Sequence, residues 1–179
     1  ALELLWFVLI AVFALIGVVR GYPKELGATA SILVGMLVLT EWGEDILNSL
    51  DLALGAAAGL SFLASPYAHF VQALFYIGFF VAMVFLAYHG ETLAFRGYPP
   101  PGLPGVALNA LNGAVNGYLV AGSVWYYLDR FDYPLRLFGL FSPPLTDLAQ
   151  RLLPFLPVPI LQPYLLLFIA FIFLMRVLR

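Results

Sequence analysis

The chain has 179 residues, of which 63% are apolar, 16% aromatic and 10% charged, with a formal net charge of −2. A soluble domain carries roughly 25% charged residues, so too few charges are present here to cover a surface in water, which argues against both a soluble globular domain and a disordered segment. Eight Lys and Arg against ten Asp and Glu leave no basic excess for a nucleic-acid partner, and the absence of Cys removes disulfides, thiolate metal sites and cysteine nucleophiles together.

Uncharged runs of roughly 18 or more residues are long enough to cross about 30 Å of hydrocarbon as a helix. Leu4–Val19 is the first expected span, between Glu3 and Arg20, and it lacks the small-residue cleavage pattern of a signal peptide. Leu26–Thr40 is the second, between Glu25 and Glu41. Residues 44–64 open with Glu44 and Asp45, suited to a helix N-terminus. Leu47, Leu50 and Leu54 follow at helical spacing, and the apolar part is too short to cross, so a separate interfacial or re-entrant helix is expected. Pro66 then divides a long uncharged stretch, and Tyr67–Tyr88 is the third span. After a proline-glycine loop comes Val106–Leu128, the fourth. Pro144–Leu153 reads as a second interfacial helix, with Leu145, Leu148, Ala149 and Leu152 on one face. A helix starting near Pro159 and running through Tyr164–Met175 is expected to make a fifth crossing, since proline is tolerated in a first turn.

The expected fold is therefore all-α, a polytopic helical membrane protein with four to five transmembrane helices plus two interfacial helices. Residues 1–130 form a four-helix membrane domain, and residues 131–179 an interfacial segment with the fifth helix. Arg20, Lys24, Arg96, Arg176 and Arg179 fall on one side of this arrangement, and the acidic loop of Glu41, Glu44, Asp45 and Asp51 on the other. Basic short loops face the cytoplasm, so the N-terminus is expected outside and the C-terminus inside.

The fourth span carries the sharpest pattern. Gly105, Asn109, Gly113, Gly117 and Ala121 recur every four residues, a small-residue stripe of the kind that lets two membrane helices approach closely. Asn112 and Asn116 lie beside it, and an unpaired amide in hydrocarbon is costly, so the asparagines should bond across a helix interface or line a wet path. Gly27, Ser31 and Gly35 give the second span a similar face, and Gly17 and Gly21 end the first; these three spans are expected to form one close-packed core. Bulky residues on the third and fifth spans (Phe75, Phe79, Phe80, Phe85, Phe168, Phe171 and Phe173) are expected to face lipid or a partner, with a pigment or quinone site as the minor alternative. At the turn between spans one and two, Arg20, Gly21, Lys24 and Glu25 fit helix capping and topology signalling, or a docking site for a partner or anionic headgroup. His69 and His89 flank the third span about 30 Å apart and cannot share a metal. No nucleophile elbow or phosphate loop is present. His89 with Glu91 is the nearest approach to a catalytic pair, and it lacks a nucleophile or metal.

The segment Gly17-Val18-Val19-Arg20-Gly21-Tyr22-Pro23-Lys24-Glu25 resembles the first-loop signature of the colicin V production protein (CvpA) family, an arginine-glycine-aromatic turn followed by a basic residue and a glutamate. The order of parts over residues 1–130 is also similar: a small-residue second span, an interfacial stretch, a third span, and a glycine-striped fourth span after Arg96 and Gly97. The proline run Pro99–Pro101 and the tail from Phe131 depart from that pattern. The resemblance implies a small polytopic protein of the bacterial inner membrane with no enzymatic activity, in a family associated with colicin secretion and cell-envelope homeostasis, and it carries over no catalytic residues.

Together these features favour a non-enzymatic scaffold, assembly or accessory subunit of a larger membrane complex. Its expected partners are membrane lipids and other membrane subunits or itself, with bound lipids and no cofactor. The alternative is a small channel or transporter whose polar path runs along Asn109, Asn112, Asn116 and Ser31.

Overall fold

The computed structural model describes residues 2–59, 61–89, 95, 97–134, 136, 139 and 145–177. Glu91, Arg96, Pro144 and Arg179, which entered the sequence reading, lie outside the described residues. Within them the chain forms helices α1 (Leu2–Arg20), α2 (Tyr22–Ala58), α3 (Ala68–His89), α4 (Leu103–Arg130), α5 (Asp147–Leu152), α6 (Pro157–Leu161) and α7 (Leu165–Val177), with 3₁₀ turns at Leu153–Phe155 and Gln162–Tyr164.

A single residue, Gly21, separates α1 from α2. Its φ of 85° and ψ of 149° suit glycine alone, because a Cβ would clash there, and Pro23 sits in the first turn of α2 where its missing N–H is harmless. α2 then runs 37 residues without a break, about 55 Å at 1.5 Å per residue. The separate interfacial helix expected over residues 44–64 does not exist: residues 44–58 continue the second helix. Nothing between Thr40 and Asp51 interrupts the backbone. Glu41, Glu44 and Asp45 take exposed positions, while Gly43 turns inward against the Tyr76 ring, where a Cβ would come within 2.9 Å. α2 stops at Gly59, left-handed at φ 67°, whose N–H reaches the Gly55 carbonyl at 2.9 Å. Asp51 accepts from the Ser61 hydroxyl and from the Phe62 and Leu63 backbone, turning the chain back toward α3.

α1 and α4 lie antiparallel along most of their length, and α1 meets α2 only lightly. α2 packs on α3 and α4, and α7 closes against α2. The main core joins Ile32, Met36, Leu39, Tyr76, Phe80 and Tyr127, and it takes Val158, Leu165 and Ile172 from the C-terminal segment. A second cluster gathers Trp6, Trp125, Leu128, Tyr133, Ala149 and Leu156. Phe80 is therefore not a lipid-facing residue: it is fully buried, and Phe75 and Phe79 pack partly against the same core, while Phe85, Phe168, Phe171 and Phe173 do face outward. The short α5 buries Ala149 and half-buries Leu145 and Leu152, but Leu148 points out, so the expected four-residue face is rotated.

Four helical stretches are long and apolar enough to cross a membrane: Leu2–Arg20, Tyr22–Ala58, Ala68–His89 and the composite Asp147–Val177. α4 is not among them, although it has 28 residues. Its asparagines and glycines dilute its apolar character, and it packs on α1, α2, α3 and α6.

Candidate functional site

The α4 stripe meets α1. A Cβ on Gly113 would strike the Phe13 carbonyl and fall 2.9 Å from Gly17 Cα; one on Gly17 would strike the Asn109 carbonyl and fall 2.8 Å from Gly113 Cα. Gly117 faces Ile10 Cα and Phe13 Cβ, each 2.8 Å from where its own Cβ would be. Backbone therefore touches backbone along the middle of the seam, and no side chain fits between. Ala121 continues the stripe into the tryptophan cluster. Gly105, the first member, packs instead on the carbonyl of Pro100 in the preceding loop, so the seam starts one turn later than the sequence pattern. On α2, Gly35 meets Met83 of α3, and the Ser31 hydroxyl donates to the Gly27 carbonyl of its own helix. Gly27 is buried. The α2 stripe thus serves in part the α2–α3 contact rather than a shared core of three small-residue faces.

At the end of the bundle near Gly21 the seam passes into a polar cluster. α2 and α4 run parallel here, so Tyr22, Glu25 and Thr29 come level with Asn109, Asn112 and Asn116. Asn109 Oδ1 accepts from the Tyr22 backbone N–H at 2.8 Å, satisfying one orphan donor of the α2 N-terminus. Asn112 Nδ2 donates to the Tyr22 carbonyl at 3.3 Å. Asn116 is wholly buried: its Nδ2 donates to Glu25 Oε2 at 2.8 Å and to the Glu25 carbonyl at 3.0 Å. Thr29 Oγ1 lies 2.7 Å from Asn116 Oδ1 and 2.9 Å from the Glu25 carbonyl, so its one proton serves two acceptors.

Glu25 is the centre of this lock. Its side chain is 0% exposed. Tyr88, from the end of α3, donates its hydroxyl to Glu25 Oε2 at 2.8 Å. Arg20 Nε stands 3.5 Å from Glu25 Oε1, and the guanidinium lies over the Tyr88 ring, 4.3 Å from its centroid. A carboxylate removed from water needs such compensation, since an isolated buried charge is costly. The compensation is incomplete: among the described residues Glu25 Oε1 accepts no hydrogen bond, and the buried Arg20 Nη1 makes none. Lys24, the remaining residue of the sequence-predicted turn, is exposed next to the buried Glu25.

Sequence reasoning read the asparagines as amides that bond across a helix interface or line a wet path, and Arg20 and Glu25 as caps and topology signals or a docking site; it did not join the two groups to each other. It missed Tyr88 and Thr29 altogether. Tyr88 carried one usable signal, an aromatic ring with a polar tip at the end of an apolar run. His69 and His89 stand at opposite ends of α3. His89 stacks on Phe85, with centroids 4.8 Å apart, and His69 lines a surface hollow with Asp132 and Arg136. Among the described residues no three His, Asp or Glu side chains gather as a metal site.

The far end of the bundle is held differently. Arg130 Nη2 meets Glu44 Oε1 at 2.6 Å and lies over the Tyr76 ring, Thr146 donates to Glu3 at 3.1 Å, and Trp125 Nε1 donates to the Tyr133 hydroxyl, which in turn donates to Asp129 at 2.9 Å. Tyr133 sits in the turn after α4, where burial pushes its phenol well above the ordinary range, and the Asp129 carboxylate adds to the effect.

No protein-family model, curated protein or solved structure matches this chain.

Proposed function

We propose that the chain is an integral membrane protein of the bacterial inner membrane, similar to the CvpA family, that acts as a non-catalytic scaffold or accessory subunit of a membrane complex. The observation that carries this reading is the division between inside and outside. The small residues and asparagines that could have served a partner or a path are engaged within the chain, and the outward faces of α1, α3 and α7 are lined by Leu15, Val19, Leu74, Phe85, Leu166 and Phe171. Such a surface suits lipid and neighbouring membrane helices. The Arg20–Gly21–Glu25 segment that carries the family resemblance also builds the buried lock. It also supports an N-terminus outside and a C-terminus in the cytoplasm, since Arg20 and Lys24 mark the inner side.

Conduction along the asparagines is the weaker reading. Asn109, Asn112 and Asn116 each hydrogen-bond Tyr22 or Glu25, so their amides hold helices together where a solute path would need them free. Gentle-detergent extraction from native membranes, then native electrophoresis and mass spectrometry, tests the proposal. Co-migration with a larger assembly at fixed stoichiometry is expected, and a chain that runs alone defeats it. Flux through proteoliposomes that Asn116→Leu abolishes without unfolding the protein would favour the channel instead.

A further inference from the structure

α2 is too long for the bilayer. From Tyr22, at the lock, to Trp42 the helix rises about 30 Å, the thickness of the hydrocarbon, and tryptophan belongs at the interface. Residues 43–58 therefore continue for about 24 Å past that boundary. There the helix keeps apolar side chains in the open: Ile46 is 36% exposed, Leu50 47% and Leu52 76%. An exposed apolar face outside the lipid marks an interaction site. A shallow groove of about 490 Å³, lined by Val38, Trp42, Asp45, Ile46, Ser49 and Leu50, all from α2, straddles the boundary and runs onto this face.

The charges say what covers it. No Lys or Arg occurs between Glu41 and Phe75. Of the four carboxylates there, Glu44 is paired with Arg130 and Asp51 caps the turn to α3. Glu41 and Asp45 make no ion pair among the described residues, and Asp45 lines the groove. A second copy packed helix to helix would set these carboxylates against their own counterparts, and an anionic lipid surface would be repelled by them. We infer that the projecting face of α2 docks a cationic amphipathic helix of a partner protein, its apolar stripe on Trp42, Ile46 and Leu50 and its Lys or Arg side chains on Glu41 and Asp45. This deepens the scaffold reading and rests on it for the position of the membrane. Opposite charge at such a rim steers the partner and fixes its register, while the apolar anchors hold it.

The full chain in phosphatidylcholine nanodiscs, titrated by fluorescence anisotropy, tests the inference. The probe is a peptide of about 18 residues, long enough to span the groove, with Leu and Lys patterned as an amphipathic helix; its Leu and Glu counterpart is the control. The Lys peptide is expected to bind loaded discs more tightly than empty ones and more tightly than the Glu peptide binds. The double variant Glu41→Lys with Asp45→Lys is expected to weaken the Lys peptide about tenfold and to let the Glu peptide bind. Both positions are exposed, so folding is not at stake. Equal binding to empty discs, equal affinity for the two peptides, or indifference to charge reversal overturns the inference. So does full disulfide crosslinking between two copies of Ser49→Cys, a unique thiol in this chain, since that puts a second copy on the face. Failure here with co-migration in native membranes removes the docking face and leaves the scaffold. Specific peptide binding by a chain that migrates alone does the reverse.

Discussion

The two ends of the bundle hold opposite charges together by opposite means. Near Gly21, Glu25 is sealed from water and contacted from α1, α3 and α4 at once. At the other end, Arg130 and Glu44 make one short contact with side chains 34% and 73% exposed. The first depends on every member, because removing one partner leaves a buried charge uncompensated, whereas an exposed pair is screened by water and contributes less than about 1 kcal/mol. On that argument the shorter ion pair is the weaker device, and burial rather than distance sets the ranking.

That contrast can be broken most severely at Asn116. Asn116→Asp replaces a donor to Glu25 with a second carboxylate, and it should cost about 3–5 kcal/mol or prevent folding, read as a lowered thermal midpoint of tryptophan fluorescence in detergent. Asn109→Asp is the control, because Oδ1 there accepts from the Tyr22 N–H and a carboxylate keeps that bond beside a helix N-terminus; its loss should be much smaller. Equal losses from the two variants would dismantle the atom-by-atom account of the lock. Next in size, Gly113→Ala should destabilise by about 2–4 kcal/mol through clash with α1. Gly78→Ala on α3, where a Cβ meets nothing within 4 Å, should be neutral or slightly stabilising in the same melt. Tyr88→Phe should cost about 1–2 kcal/mol by withdrawing one donor from Glu25, and Glu44→Ala at the far end less than about 1 kcal/mol. Should Glu44→Ala prove the more damaging, the ranking by burial fails. The smallest effect concerns Tyr133. Its phenol binds its proton more tightly when folded, so its contribution to stability is full below pH 10 and drains as pH rises beyond that value. Tyr133→Phe should flatten that alkaline decline in a melt series.

Much of this fold is written in local pattern. The apolar runs located α1, α3 and α4, and the four-residue repeat of Gly113 and Gly117 identified a close-contact seam before any partner was known. The partner itself could not be read, because Gly17 meets Gly113 across two intervening helices and single-sequence patterns carry no pairing information. The break expected after Thr40 failed for a related reason. Glu41, Glu44 and Asp45 look like the end of a span when hydropathy is averaged, yet a helix tolerates charge wherever its face is exposed, and only packing decides which face that is. Phe80 taught the same point in reverse: an aromatic stripe does not announce which of its members turns inward. Within the lock, the residue types were legible and the geometry was not, since Tyr88 and Glu25 stand 63 positions apart.

The parallel ladder between α2 and α4 also sets an order on biogenesis. Tyr22 and Asn112 are 90 positions apart. At a synthesis rate of roughly 5–20 residues per second, Glu25 leaves the ribosome about 5–20 s before Asn116 can reach it. Through that interval the newborn α1–α2 hairpin carries an open glycine face and an acid with no amide to hold it. The hairpin cannot reach its final packing on its own, and the emergence of α4 is the event that commits it.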